Sequence, residues 1–279
     1  MDMAARIVSL ADGPILLALD EPQQARSALR IAQALCSRLD RSLTLIHAAV
    51  PALSAEELLE RLELSPEELD GGVIEPLEGA PEDRIPRFAR EHQCCLLMLG
   101  LNTNGQEPDA VMRALLTDSP CPVLLVPPSV SECWGQNGTV LLPLDGSPSN
   151  ALVAPLAIDL ASRFEAGLDI LYVAGAYPPN EPGTMAMPSF IDQPQYEWTM
   201  WRREFLSRFY ERYRGEKAPR EVRLSVATGD RAPAILEQAE RDAPDLIVIG
   251  WHGNFRQARA QTMRAVLKAS AWPVLLARI

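Results

Sequence analysis

Pro14-Ile15-Leu16-Leu17-Ala18-Leu19-Asp20 and Thr139-Val140-Leu141-Leu142-Pro143-Leu144-Asp145 are one pattern written twice: a short apolar run that ends on an aspartate. The next apolar runs, Leu43–Ala48 and Leu168–Val173, keep the same spacing of 125 residues, so no gap falls between them. The segments between repeat as well. Ala25, Ala28, Leu29, Ala32, Leu35, Cys36 and Leu39 form one helical stripe, answered by Val153, Ala154, Ala157, Leu160, Ala161 and Phe164. Further on the spacing becomes 150, pairing Gly79 with Gly229, Ile85 with Ile235, Ala89 with Ala239 and Gly100 with Gly250. The runs Leu96–Leu99 and Leu246–Ile249 lead into those last glycines, and Pro122–Val126 matches Pro273–Ala277 at a spacing of 151. The chain is a tandem duplication with one insertion in its second half.

Each half reads as βαβαβαβ, with an additional short strand before Gly79 and Gly229, at 73–75 and 222–226. Short continuous apolar strands alternating with amphipathic helices predict parallel strands covered on both faces. The expected fold is α/β: two tandem doubly wound domains, each a five-stranded parallel sheet with helices on both faces. The domains are expected at 1–128 and 138–279, joined by a linker rich in proline and turn residues, with an insertion at about 176–200. The two final strands would otherwise be exposed edges, so the halves are expected to pack as a pseudo-dimer through them.

The 279 residues suit two domains, and 47% hydrophobic with 23% charged residues is a globular balance. A net charge of -11 opposes nucleic acid, whose binding rests on Lys and Arg at phosphates, and equally opposes an anionic membrane surface. The partner classes that remain are a small-molecule ligand, a protein and a second copy of the chain. The five cysteines show no CxxC or Cys/His spacing. Cys94, Cys95 and Cys121 fall in apolar runs, which predicts buried thiols in a reducing cytoplasm. The first 13 residues do not resemble a signal peptide, and no run of about 18 apolar residues predicts a membrane span.

Pro143-Leu144-Asp145-Gly146-Ser147-Pro148, Gly229–Ile235, Asp245–Gly253 and Ser119–Leu125 together resemble the universal stress protein family over nearly the whole chain. The resemblance implies a five-stranded parallel sheet in a family where many members bind ATP and others do not. In the binders a Gly-x2-Gly-x9-Gly-Ser/Thr loop follows the fourth strand. Its glycines let backbone N–H groups approach phosphate, and the next helix N-terminus favours the negative charge. In the second half Gly250-Trp251-His252-Gly253 supplies the opening, but Ala260-Gln261 stands where Gly-Ser/Thr belongs and the intervening loop is short. In the first half Gly100-Leu101-Asn102-Thr103 lacks the second glycine, and Asp109-Ala110 would set a carboxylate against phosphate. Domain 1 is therefore not expected to hold ATP in the family manner.

For domain 2 two readings stand side by side. In the favoured one, Gly250 ends a strand and Gly253 sits in a turn. In the other, ATP is the cofactor, with Asp145 and the Val173 backbone at the nucleoside and Gly250, Gly253 and Gln261 at the phosphates. The three histidines, His47, His92 and His252, lack metal-ligand spacing, so no metal is expected. No nucleophile elbow, dinucleotide fingerprint or Walker loop occurs, and no catalytic residue is assigned. Ser147-Pro148 reads as a helix cap with proline at N1. Pro155 is expected to kink the helix it lies in. The insertion begins as a proline-rich loop at Tyr177, and its segment Met185–Ile191 is placed to line or cap an apolar cavity. A helix with a Trp198, Trp201, Phe205, Phe209 stripe follows, and Arg202, Arg203, Arg208 and Arg212 lie on its other face, which reads either as a solvated face or as a docking patch for an acidic partner. The expected function is a non-catalytic cytoplasmic stress-response protein acting by binding a ligand or partner. The alternatives are an ATP-binding protein using domain 2 and a carrier of an apolar small molecule using the insertion.

Overall fold

The computed structural model describes residues 10–19, 21–101, 110–128, 130, 134–135, 138–145, 150–174, 195–212, 218–253, 255 and 259–279. Asp20, Thr103, Asp109, Cys133, Ser147, Pro148 and the insertion from Tyr177 to Ile191 lie outside them. By compactness the chain divides into residues 10–134 with 251–278, and residues 135–250.

The first unit begins with β1 (Ile15–Ala18), α1 (Pro22–Leu39), β2 (Leu43–Ala49) and α2 (Ala55–Leu62). It continues with β3 (Val73–Glu78), α3 (Pro81–Glu91), β4 (Leu96–Gly100), α4 (Ala110–Asp118) and β5 (Val123–Val126). Its strands lie in the order β3-β2-β1-β4-β5, all parallel, with Ala18 in register with Ile46 on one side and Leu99 on the other. Ile15, Leu16 and Leu17 are fully buried, as a strand covered on both faces requires. Pro22 starts α1, where its missing N–H is no loss, and Asp40 in the left-handed conformation ends it. Ala25, Ala28, Leu29, Ala32, Leu35 and Leu39 are buried along the expected stripe, and Ile31 joins them.

The second unit holds β6 (Thr139–Leu144), α5 (Ala154–Arg163), β7 (Gly167–Ala174), α6 (Gln195–Arg212), β8 (Val222–Thr228), α7 (Arg231–Asp242) and most of β9 (Leu246–Trp251). Its parallel order is β9-β6-β7-β8. The last two elements, α8 (Arg259–Ala269) and β10 (Val274–Arg278), belong with the first unit. There β10 pairs antiparallel with β5, Val274 opposite Leu125 and Leu276 opposite Val123, so the edge of β5 is covered by its own repeat equivalent.

Three expectations need correction. Pro155 does not kink a helix: a 3-10 turn spans Asn150–Val153 and α5 starts only at Ala154, leaving Pro155 in the first turn, where an N–H has no intrahelical partner anyway. The first half is more than βαβαβαβ, because α2 and a 3-10 turn at Pro66–Leu69 precede β3. Ser54 Oγ accepts from Glu57 N–H while Ser54 N–H donates to Glu57 Oε2, a reciprocal cap that fixes the start of α2. Finally, Cys94 and Cys95 are buried, but Cys121 is only partly so.

In α6, Phe205 and Phe209 are buried and stack on each other, as the stripe requires. The side chains of Trp198, Trp201, Arg202 and Arg212 lie outside the described residues. Arg203 is exposed, and Arg208 is engaged one turn back by Glu204.

Candidate ligand crevice

The strand order of the first unit sets the place of its crevice. The chain runs outward from β1 through β2 to β3 and then returns to the other side of β1 as β4. At such a switch the connections leave β1 and β4 in opposite directions, opening a gap at the carboxyl ends of the strands. A cavity of about 350 Å3 occupies that gap, at the small end of the range for ligand sites.

Its floor comes from the strand ends: Ala18 and Leu19 after β1, Ile46–Ala49 of β2, and Leu99 and Gly100 of β4. Glu21 and Gln24 at the start of α1, Arg61 of α2, Pro81 and Ile85 of α3, and Val111, Met112 and Leu115 of α4 complete the walls. The His47 ring is 6% exposed, and its Nδ1 lies 3.0 Å from the Leu19 carbonyl. A carbonyl only accepts, so Nδ1 carries a proton and donates it there. Glu21 and Arg61 add charges of opposite sign. The surface is mixed: an apolar floor with a few polar groups at its rim.

The face of Gly100 is occupied by a side chain. A Cβ built there would collide with Gln24 Oε1, so the close approach that glycine permits is taken up by a glutamine side chain from α1. Sequence reasoning assigned no role to Gln24 or Arg61, and treated His47 only as a lone histidine.

The residues proposed as a nucleotide site in the second half fall as follows. Asp145 follows β6 directly, one step past the Leu144–Tyr172 pair, which brings it level with Val173. Its side chain is 8% exposed, and its Oδ2 lies 3.6 Å from the Arg231 guanidinium at the start of α7. Val173 is buried in β7 opposite Ala227, and Gly250 lies within β9. These three belong to the unit 135–250, whereas Gly253 and Gln261 belong with the first unit. Gly253 adopts φ +74°, and the Arg278 guanidinium packs 3.2 Å from where a Cβ would stand. Gln261 is exposed in the first turn of α8, beside a buried Ala260. His252 follows β9 and is half-buried. Among the described residues, no three His, Cys, Asp or Glu side chains are grouped to hold a metal ion. Among them also, no helix is long and apolar enough to cross a membrane.

Comparison with known proteins agrees with the two-fold pattern. The model of the universal stress protein family matches residues 13–127 and again 136–278. A universal stress protein of Mycobacterium tuberculosis is 27% identical over 206 residues, 70% of this chain and 62% of the relative. The chain thus spans less than two thirds of that relative's length. Among solved structures, a protein of unknown function from Pseudomonas aeruginosa PAO1 superposes with a TM-score of 0.66 at 18% identity, covering 96% of this chain and 93% of that one. A universal stress protein from Archaeoglobus fulgidus superposes with a TM-score of 0.60 at 15% identity, covering 97% of each. With both halves matched by the family model, the chain belongs to the universal stress protein family and carries its domain twice.

Proposed function

We propose that this protein is a non-catalytic, cytoplasmic stress-response protein that works by binding a small organic molecule in the crevice of its first repeat. The observation that carries this reading is the cavity of about 350 Å3 at the β1/β4 switch, built on an apolar floor with His47 and Arg61 placed for polar contact. Among the described residues that line it, no nucleophile, base and orienting group are grouped as an acyl- or phosphoryl-transfer centre needs. The ligand is compact and mainly apolar, with a polar group that meets the polar side chains of the wall. A triphosphate does not suit the site, because Gln24 covers the glycine face that phosphate would approach. In the second repeat, the Arg231 ion pair engages the Asp145 carboxylate that a nucleoside would use, which favours a structural role there. Free thiols at Cys94 and Cys95 suit a reducing compartment.

The test is to denature the purified protein and identify what it releases, then to titrate that molecule, adenosine, AMP and ATP into the protein while following thermal unfolding. Ala48 is 8% exposed and lines the cavity. Ala48→Phe should fill the space and abolish the shift given by the released molecule. ATP binding that survives Ala48→Phe and disappears in Gly253→Asp would overturn this reading in favour of the second-half site.

A further inference from the structure

Cys94 Sγ and Cys121 Sγ lie 3.0 Å apart, in hydrogen-bond contact as two free thiols. Their backbones are held firmly. Cys94 N–H donates to Ala89 O, Cys95 N–H donates to Pro14 O, and Leu97 N–H donates to Pro122 O. Ser119, at the end of α4, donates its hydroxyl to Cys121 O at 2.8 Å and stands 3.6 Å from Cys121 Sγ. Cys94 is 4% exposed, whereas Cys121 is only partly buried. The second repeat keeps the serine turn, with Ser270 Oγ donating to Trp272 O, but Pro244 and Trp272 stand where the first has Cys94 and Cys121. The fold therefore does not require thiols at these positions.

We propose that Cys94 and Cys121 form a redox-active pair that hydrogen peroxide converts to a reversible disulfide. Cys121 is the sulfur attacked first. Its thiol is held below the ordinary value, mainly because Cys94 S–H donates to it and also through Ser119. Cys94 is raised by that same hydrogen bond and by burial, so it keeps its proton. Peroxide transfers one oxygen to Cys121 Sγ, giving a sulfenic acid as the O–O bond breaks, and the other oxygen leaves as water with the thiol proton. Cys94 Sγ then bonds to Cys121 Sγ, the S–O bond breaks, and the hydroxyl leaves as a second water with the Cys94 proton. Two thiols and one peroxide give one disulfide and two waters. The sulfurs need to close only from 3.0 Å to about 2.0 Å. The bond would close a loop containing α4, whose Val111, Met112 and Leu115 form one wall of the crevice.

The experiment is peroxide treatment of the reduced full chain, alkylation of remaining thiols with N-ethylmaleimide, and peptide mapping by mass spectrometry. A Cys94–Cys121 linked peptide that dithiothreitol separates is expected. Cys121→Ser should abolish it, and Cys94→Ser should leave Cys121 as a sulfenic acid that dimedone traps. Before oxidation, Cys121 should alkylate faster at pH 7 than Cys36, whose thiol is pushed up to about 11 by burial. Peroxide that leaves Cys94 and Cys121 open to alkylation, or that joins Cys121 to another cysteine, overturns the proposal. The mapping of the unmutated chain decides it even if a variant fails to fold.

Discussion

Asp169 sits in the middle of β7 and is 1% exposed, a carboxyl group in the interior of an α/β unit. Its oxygens accept from Ser225 Oγ at 3.1 Å and from Gln238 Nε2 at 3.2 Å, and Gln238 Nε2 also reaches the carboxylate of Asp242 at 2.5 Å. Burial, and then the hydrogen bond shared with Asp242, push the Asp169 carboxyl up from 3.8 to about 6, while Ser225 and Gln238 pull the other way with less effect. The sign follows directly. The folded state favours the protonated acid, so the stability it contributes is complete below pH ~4 and is lost as pH rises through about 6. At 1.36 kcal/mol per pH unit the loss is about 3 kcal/mol at pH 8.

Asp169→Asn mimics the protonated acid: its carbonyl accepts from Ser225 and its amide donates to Asp242. In urea melts at a series of pH values, the variant should match the wild type at pH 4 and exceed it by about 3 kcal/mol at pH 8. The corresponding rise in Tm is about 6–12 °C. Asp242→Asn should flatten only part of the slope, because burial is the larger cause. A difference between Asp169→Asn and wild type that stays constant from pH 4 to pH 8 would refute the reasoning, since it would mean that the carboxyl does not titrate across the window.

Three further outcomes follow from single contacts. Asp245 is 5% exposed and accepts from the Gly135 and Gly138 N–H groups at 2.8 Å each, so Asp245→Ala should cost about 2–4 kcal/mol in a urea melt and Asp245→Asn about half of that. Trp251 donates its indole N–H to Leu116 O at 3.0 Å from a buried position, so Trp251→Phe should lose about 1 kcal/mol and raise unfolding rates measured by stopped-flow circular dichroism. Gly253→Ala must place a methyl group at φ +74° and displace the Arg278 guanidinium, a loss of about 1–2 kcal/mol that Asn, more tolerant of this conformation, should reduce.

The parts of the fold that local pattern controls were legible. The run Ile15–Ala18 announces a strand buried on both faces, and Ala25 to Leu39 a helix with one buried face, because periodicity is a property of neighbouring residues. The helix α2 was missed although its signal was present: Ser54-Ala55-Glu56-Glu57 is a capping box, and Leu58 and Leu62 one turn apart are its buried contacts. The corresponding stretch of the second half, between β7 and β8, holds the insertion and the longer α6, so matching the halves residue by residue does not reveal α2. Pro155 was misread for a related reason. A proline marks either the interior break or the first turn of a helix, and only the position of the first helical residue separates the two. Asp245 and Asp169 could not be read from sequence, because the groups that satisfy them lie far along the chain, at Gly135 and Gly138 for one and at Ser225 and Gln238 for the other.

The site was sought in the second repeat because that is where Gly250 and Gly253 stand. Glycine spacing reports what a backbone can do, whereas a cavity depends on side-chain volume. The repeat itself contains that second kind of information. At the carboxyl ends of the first two strands the first repeat has Ala18, His47 and Ala48, and the second has Pro143, Tyr172 and Val173 in the same register. Each exchange makes the first repeat smaller at the switch between β1 and β4, and all three of its residues line the cavity. The two copies began with equal topology, so topology cannot decide which one holds a ligand. The side chains at the strand ends do differ, and they are smaller in the copy whose glycine loop is the more degraded. On the function proposed above, loss of the loop and retention of the space are compatible, since a ligand that needs no phosphate cradle would be held by the chemistry of the crevice rather than by the family loop.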